Sequence, residues 1–269
     1  MKKLSLICCL MIGTLWLNAQ SDSAFSLLRT MRGDIVAFSV DNLDNIYVLN
    51  SRNQVKKYNA AGDSMGVFND VKKFGNASLI DVSNPLRLLL YYKDYTTVVM
   101  LDRFLNQVNT IDLRRQNIFQ ARAIAQSYDN KIWVYDEAEN KLKKVDENGK
   151  LLLETPDFRL LMGQAPQPQK IFDQDKLVYL YDPALGVFVF DYFGAQRNNI
   201  LIRGWDNFKV AGQYIFGSRA DTLYRYEIKS FMYDEWKMPA AISQSRSFTF
   251  SAARLYALKN DGIDIYTIR

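Results

Sequence analysis

Histidine is missing from all 269 residues of this chain. Without imidazole the sequence cannot build a Ser-His-Asp or Cys-His nucleophile system. It also lacks the commonest general base at neutral pH and cannot ligate zinc or iron through histidine. Cysteine is nearly as scarce. Its two copies, Cys8 and Cys9, lie side by side near the start, so the rest of the chain has no thiol and must be held together by packing. After residue 20 no run is long and apolar enough to cross a bilayer as a helix, and no stretch keeps a 3.6-residue apolar stripe. Residues 24 to 31 and 157 to 162 leave room for a helical turn or two. The formal net charge of +5 is too small an excess to argue for a nucleic-acid partner.

The first 19 residues read apart from the rest. Lys2 and Lys3 make a basic start, Leu4 to Leu17 an apolar core, and Asn18-Ala19 a small-residue end. That is the pattern of a secretory signal peptide cut after Ala19. Ile7 before Cys8 does not fit a lipoprotein site. Residues 20–269 are therefore expected to form one exported domain, in the periplasm, peripheral to a membrane, or secreted.

What is abundant is strand. β-Branched and aromatic residues dominate Ile35 to Val40, Leu177 to Tyr181, Val187 to Phe190 and Ile263 to Tyr266, each bounded by Gly, Asn, Asp or Pro. The segments also repeat. DNIYVLNSRNQVKKYNAAGDSMGVF, from Asp44 to Phe68, returns as DNKIWVYDEAENKLKKVDENGKLLLE, from Asp129 to Glu154. Tyr58, Leu101, Val145, Phe190, Tyr226 and Tyr266 hold the same place in successive copies, at intervals of roughly 40 residues, the length of a four-stranded propeller blade. Asn59 with Gly62, Asp146 with Gly149 and Asp191 with Gly194 mark a tight turn after the anchor, and Asp102 keeps the acid but has Leu105 in the glycine position. The last copy, beginning near Ser247, runs out at Arg269 after its third strand. Phe25 to Met31 are the available fourth strand. Within Lys56-Lys57 and Lys143-Lys144, one lysine of each pair is expected to face solvent.

This pattern resembles the NHL-like and TolB-like six-bladed propellers over residues 24 to 269. The resemblance implies an all-β, six-bladed β-propeller of four-stranded antiparallel blades, its ring closed by the N-terminal strand. A seven-bladed ring with one blade undetected, or another all-β solenoid, would share the spacing. The Asn-His-Leu signature that names one group is missing, as it must be in a chain without histidine.

Candidate ligand-binding residues follow from the channel of such a ring. Arg32, Lys73, Arg122, Lys170, Arg203 and Arg246 stand ahead of, or at the start of, an expected inner strand, where one cation per blade would focus positive potential on an anion. The acid pairs Asp41 with Asp44, Asp173 with Asp175 and Asp261 with Asp264 offer oxygen ligands of the kind calcium takes, but fall where hairpin turns are expected. The segment Thr155 to Gln169 is long for a link between blades and carries Phe158, Leu160 and Met162 as potential contacts. Trp205, Phe208 and the run Phe231 to Trp236 are expected mainly in the core. No catalytic residue, metal site or cofactor is implied. The expected role is a non-enzymatic binding or scaffold propeller of a bacterial cell envelope, its partner an envelope protein complex. The alternative is a calcium-dependent hydrolase or lyase, or a sugar- or lactone-binding propeller, acting at the channel mouth.

Overall fold

A computed structural model describes residues 24–251 and 254–268. The signal peptide expected over residues 1–19 lies outside them. β1 (Phe25–Arg32) is first in the chain but belongs to the last blade. Blade 1 is β2 (Ala37–Val40), β3 (Ile46–Leu49), β4 (Val55–Tyr58) and β5 (Ser64–Phe68), and blade 2 is β6 (Leu79–Asn84), β7 (Arg87–Tyr92), β8 (Thr97–Asp102) and β9 (Gln107–Asp112). Blade 3 follows as β10 (Ala121–Gln126), β11 (Ile132–Asp136), β12 (Lys141–Val145) and β13 (Leu151–Glu154). Blade 4 is β14 (Lys170–Gln174), β15 (Leu177–Asp182), β16 (Gly186–Asp191) and β17 (Gln196–Ile200). Blade 5 is β18 (Asp206–Ala211), β19 (Tyr214–Arg219), β20 (Thr222–Glu227) and β21 (Tyr233–Lys237). In blade 6, β22 (Ser247–Ser251), β23 (Arg254–Leu258) and β24 (Gly262–Ile268) take β1 as their outer strand. All six anchor residues lie on the third strand of the chain's own run, as the repeat required.

The core is partitioned among the six junctions between neighbouring blades, one apolar cluster in each. The period-two geometry of a strand explains the division. In β7, Leu88 and Leu90 pack toward blade 1 while Leu89 and Tyr91 pack toward blade 3. Likewise in β11, Ile132 and Val134 face blade 2, and Trp133 and Tyr135 face blade 4. Because both sheet faces are covered, the second strands of blades 1 to 4 read as near-continuous apolar runs. This overturns, for Lys143-Lys144, the expectation that one lysine of each pair reaches water; in the first pair Lys56 stays half-buried while Lys57 is inside. Lys57, Lys143 and Lys144 are all buried. Lys143 donates to Asp136 at 2.7 Å and pairs with Glu139 at 3.0 Å; burial opposes its charge, and the two carboxylates outweigh it, so its pKa is raised.

The turns form as the Asx-Gly pattern predicts. Asn59, Asp102, Asp146 and Asp191 each accept two backbone N–H bonds through Oδ1, at 2.8–3.0 Å. Leu105 takes the glycine's conformation, φ 68°, because its side chain is drawn into the junction between blades 1 and 2. Residues 24–31 are not helical: β1 pairs antiparallel with β24 from Phe25↔Ile268 to Arg32↔Gly262. Of the two places where a helical turn would fit, only the second forms one, α2 (Phe158–Met162), started by Asp157 accepting from the Arg159 amide and ended by Gly163 at φ 73°. Short helical turns also precede β6, at α1 (Val71–Phe74), and β22, at α3 (Ala240–Ser243); α1 and α3 flank α2 in the sequence.

Candidate functional site

The six inner strands β2, β6, β10, β14, β18 and β22 line a central channel, and side chains stitch each to the next. Ser39 Oγ donates to Ile80 O at 2.9 Å, Gln126 binds both the carboxylate and the carbonyl of Asp81, and Ser127 Oγ donates to Asp173 at 2.7 Å. Lys170 Nζ then donates to Phe208 O at 3.1 Å, Lys209 Nζ to Phe250 O, and Ser251 Oγ closes the circle on Asp41 O at 3.0 Å. Arg246 adds bonds to Ile35 O and Val36 O. Much of the hydrogen-bonding capacity of the innermost edge thus goes into holding blades in register.

The six predicted cations do not meet in one ring. Arg32 ends the outermost strand of blade 6, Lys73 sits in α1 over the Phe74 ring, and Arg203 lies in the link into β18. Arg122, bulged out of register in β10, pairs with Glu137 at 2.5 Å and leaves a buried Nε without a partner beside a depression lined by Gln167, Asp182 and Leu185. Lys170 and Arg246 do reach across to the next inner strand. Lys209 joins Lys170 and was not predicted. Blade 5 matches the repeat weakly, and only the polar-apolar alternation in DNFKVA marked the residue as inner-strand.

Lys170 is exposed overall, yet the protein packed around its ammonium pushes its pKa down. Burial also lowers Lys209, from its ordinary 10.5 to about 8, helped by the charge of Lys170 and opposed by Asp44. Neither ammonium is in an ion pair among the described residues.

The acid pairs divide as well. Asp41 is turn chemistry, accepting the amides of Leu43 and Asn45, both at 2.9 Å. Asp44 accepts from Tyr256 Oη and pairs with Arg254. Asp264 binds Thr30 Oγ1 across the closing strands. Asp173 departs from the expected turn role. It receives Ser127 Oγ, Trp133 Nε1 and Tyr192 Oη, a hub between blades 3 and 4. Beside it Lys144 lies over the rings of Tyr128, Trp133 and Tyr192 while pairing with Asp129 at 2.9 Å. Among the described residues no three carboxylates converge as a metal site.

Strand direction places the first and third turns of blades 1 to 5 on one face of the disc. Leu43, Leu86 and Tyr128 occupy first turns, Phe104, Phe193, Phe231 and Met232 third turns, and all are exposed, Phe193 to 86%. In the segment 155–169, Phe158 is buried against Tyr135 and Phe190, whereas Leu160 is 85% exposed on the opposite face. Trp205 and Phe208 are core, as expected; Phe231 and Met232 are exposed because the turn between β20 and β21 carries them off the sheet, and Tyr233 is exposed at the start of the edge strand β21.

No protein-family model matches the sequence, and no curated protein does. Solved structures match in shape. A catalytically inactive virginiamycin B lyase from Staphylococcus aureus, with quinupristin, shares 12% identity over 91% of this chain and 89% of its own, with a TM-score of 0.60. The chain is a six-bladed β-propeller. PorZ, a surface component of the type-IX secretion system of Porphyromonas gingivalis, aligns over 87% of this chain and 31% of its own, at 11% identity and a TM-score of 0.55. BamB from Moraxella catarrhalis aligns over 90% and 73%, at 12% identity and a TM-score of 0.51. At these identities the likeness is one of fold.

Proposed function

We propose that this propeller is a non-enzymatic binding or scaffold protein of the bacterial cell envelope, exported by residues 1–19 and docked on a protein partner through the face that carries the first and third turns. The observation that carries the reading is the gathering of Leu43, Leu86, Phe104, Tyr128, Phe193, Phe231 and Met232 at the tips of turns on that face. Tyr128 also stacks on Tyr192, but folding does not require apolar side chains at the other tips, since turns take polar residues at no cost and aromatic side chains are what interface cores favour. PorZ, a bacterial surface component of a secretion system, uses the same architecture as part of a longer chain and supports an envelope setting. The lyase reading has less behind it. The matched lyase is inactivated by replacing a histidine with alanine, and this chain has no histidine to take that part.

The test is crosslinking in the native envelope followed by purification of the tagged protein. The wild type should bring down one stoichiometric partner, and a variant with Phe104→Ser and Phe193→Ser should lose it without a change in melting temperature. Repeated recovery of a lone monomer from the wild type would overturn the reading.

A further inference from the structure

We propose that Lys170 and Lys209 form an oxyanion site within the central channel, holding one phosphate or carboxylate group between the inner strands of blades 4, 5 and 6. This does not depend on the docking face. The two lysines run head to tail around the ring. The ammonium of Lys170 sits on the carbonyl of Phe208, the residue that precedes Lys209, and the ammonium of Lys209 sits on the carbonyl of Phe250 one blade further. Each carries three N–H donors and gives one to the protein, so both have donors left for a ligand.

Left empty, the arrangement is unfavourable. Two like charges on adjacent inner strands act on each other, and the protein packed around each ammonium adds to the cost of its charge. Neighbouring charges do not relieve it. Asp44 is the carboxylate that acts on Lys209, and it is already occupied by Tyr256 Oη and Arg254. No carboxylate acts on Lys170 among the described residues, where burial alone sets the shift. If the lysines served only as latches between strands, a neutral donor such as the serines at other junctions would do the same at lower cost. An oxyanion between them cancels the repulsion and accepts the spare hydrogen bonds. Lys170 keeps an exposed surface, so a small ion can reach it.

Two measurements on the purified full chain decide it. Inorganic phosphate and acetate are titrated calorimetrically into the wild type, Lys170→Met, Lys209→Met, the double Met variant and Lys209→Arg. At pH 7 the wild type should bind at least one of the two, each single Met variant should weaken it about tenfold or more, and Lys209→Arg should keep it. Tighter binding of phosphate assigns a phosphoryl group, and the reverse a carboxylate. Wild-type affinity should fall as pH rises past about 8, where Lys209 gives up its proton, while Lys209→Arg holds its affinity.

The second measurement is stability in buffer without either ion. Above about 8 the folded protein releases the Lys209 proton, whereas the unfolded chain keeps it up to 10.5. The unfolded state therefore binds more protons in that window, and wild-type stability should rise across it relative to Lys209→Met. Below the window the Met variants should melt at or above the wild type. Failure of both ions to bind the wild type, equal binding by the double Met variant, or Met variants that melt far below the wild type would each overturn the site.

Discussion

At the residue scale, the polar groups inside this propeller are of two kinds, those whose bonds are complete and those left with capacity. Asp173 is the clearest of the first. It is the common acceptor for Ser127, Trp133 and Tyr192, three donors from blades 3 and 4. Asp173→Ala should therefore cost about 2–4 kcal/mol, since it strands the indole N–H of a fully buried Trp133 together with two hydroxyls. A urea titration read by tryptophan fluorescence would measure it, and a loss under about 0.5 kcal/mol would show that water replaces the carboxylate. Nothing in the sequence distinguishes Asp173 from a turn aspartate, because its partners are 19 to 46 residues away and belong to another blade or strand. Lys143 and Lys144 were misread for a related reason. Alternation predicts a wet face only when a sheet has one, and a blade in a closed ring has neighbours on both.

At the scale of the element, the third turn of blades 1 to 4 was the most legible feature, since an Asx side chain and a residue at positive φ are local requirements that the sequence must meet on the spot. Gly149 has φ 86°, and a Cβ there would lie 2.7 Å from Ile111 Cγ2 on the preceding blade. Gly163, at φ 73°, closes α2 with nothing within 4 Å of the same position. The two glycines thus separate backbone strain from collision. Gly163→Ala should cost about 1 kcal/mol from the left-handed backbone alone, and Gly149→Ala about 2–3 kcal/mol because the apolar junction between blades 2 and 3 must also shift. Paired denaturation curves would show the difference; equal losses would mean that the junction yields freely. Leu105 marks the limit of such reading. It departs from the glycine pattern, and its reward, burial between blades 1 and 2, is a tertiary contact that no local pattern displays.

For the whole molecule the governing fact is closure. Six junctions bury one apolar cluster each, and the junctions on either side of blade 6 depend on a sheet assembled from both ends of the described chain. That assembly was legible because a blade short of one strand must find it elsewhere or expose an edge. The channel chemistry was not, since which inner-strand side chains meet depends on blade tilt and bulges such as the one at Arg122. Closure can be locked and measured. Ser26 Oγ and Thr267 Oγ1 lie 3.2 Å apart across β1 and β24, at paired positions 241 residues apart in sequence. Ser26→Cys with Thr267→Cys should oxidise readily, with Cys8 and Cys9 the chain's sole competing thiols. Confining so long a loop removes enough disorder from the unfolded chain to add up to about 5 kcal/mol. The melting temperature should therefore rise under oxidising conditions and fall back with reductant. A pair that stays reduced, or one that oxidises without any gain, would mean that β1 leaves blade 6 before the ring unfolds, so that the edge it covers opens first.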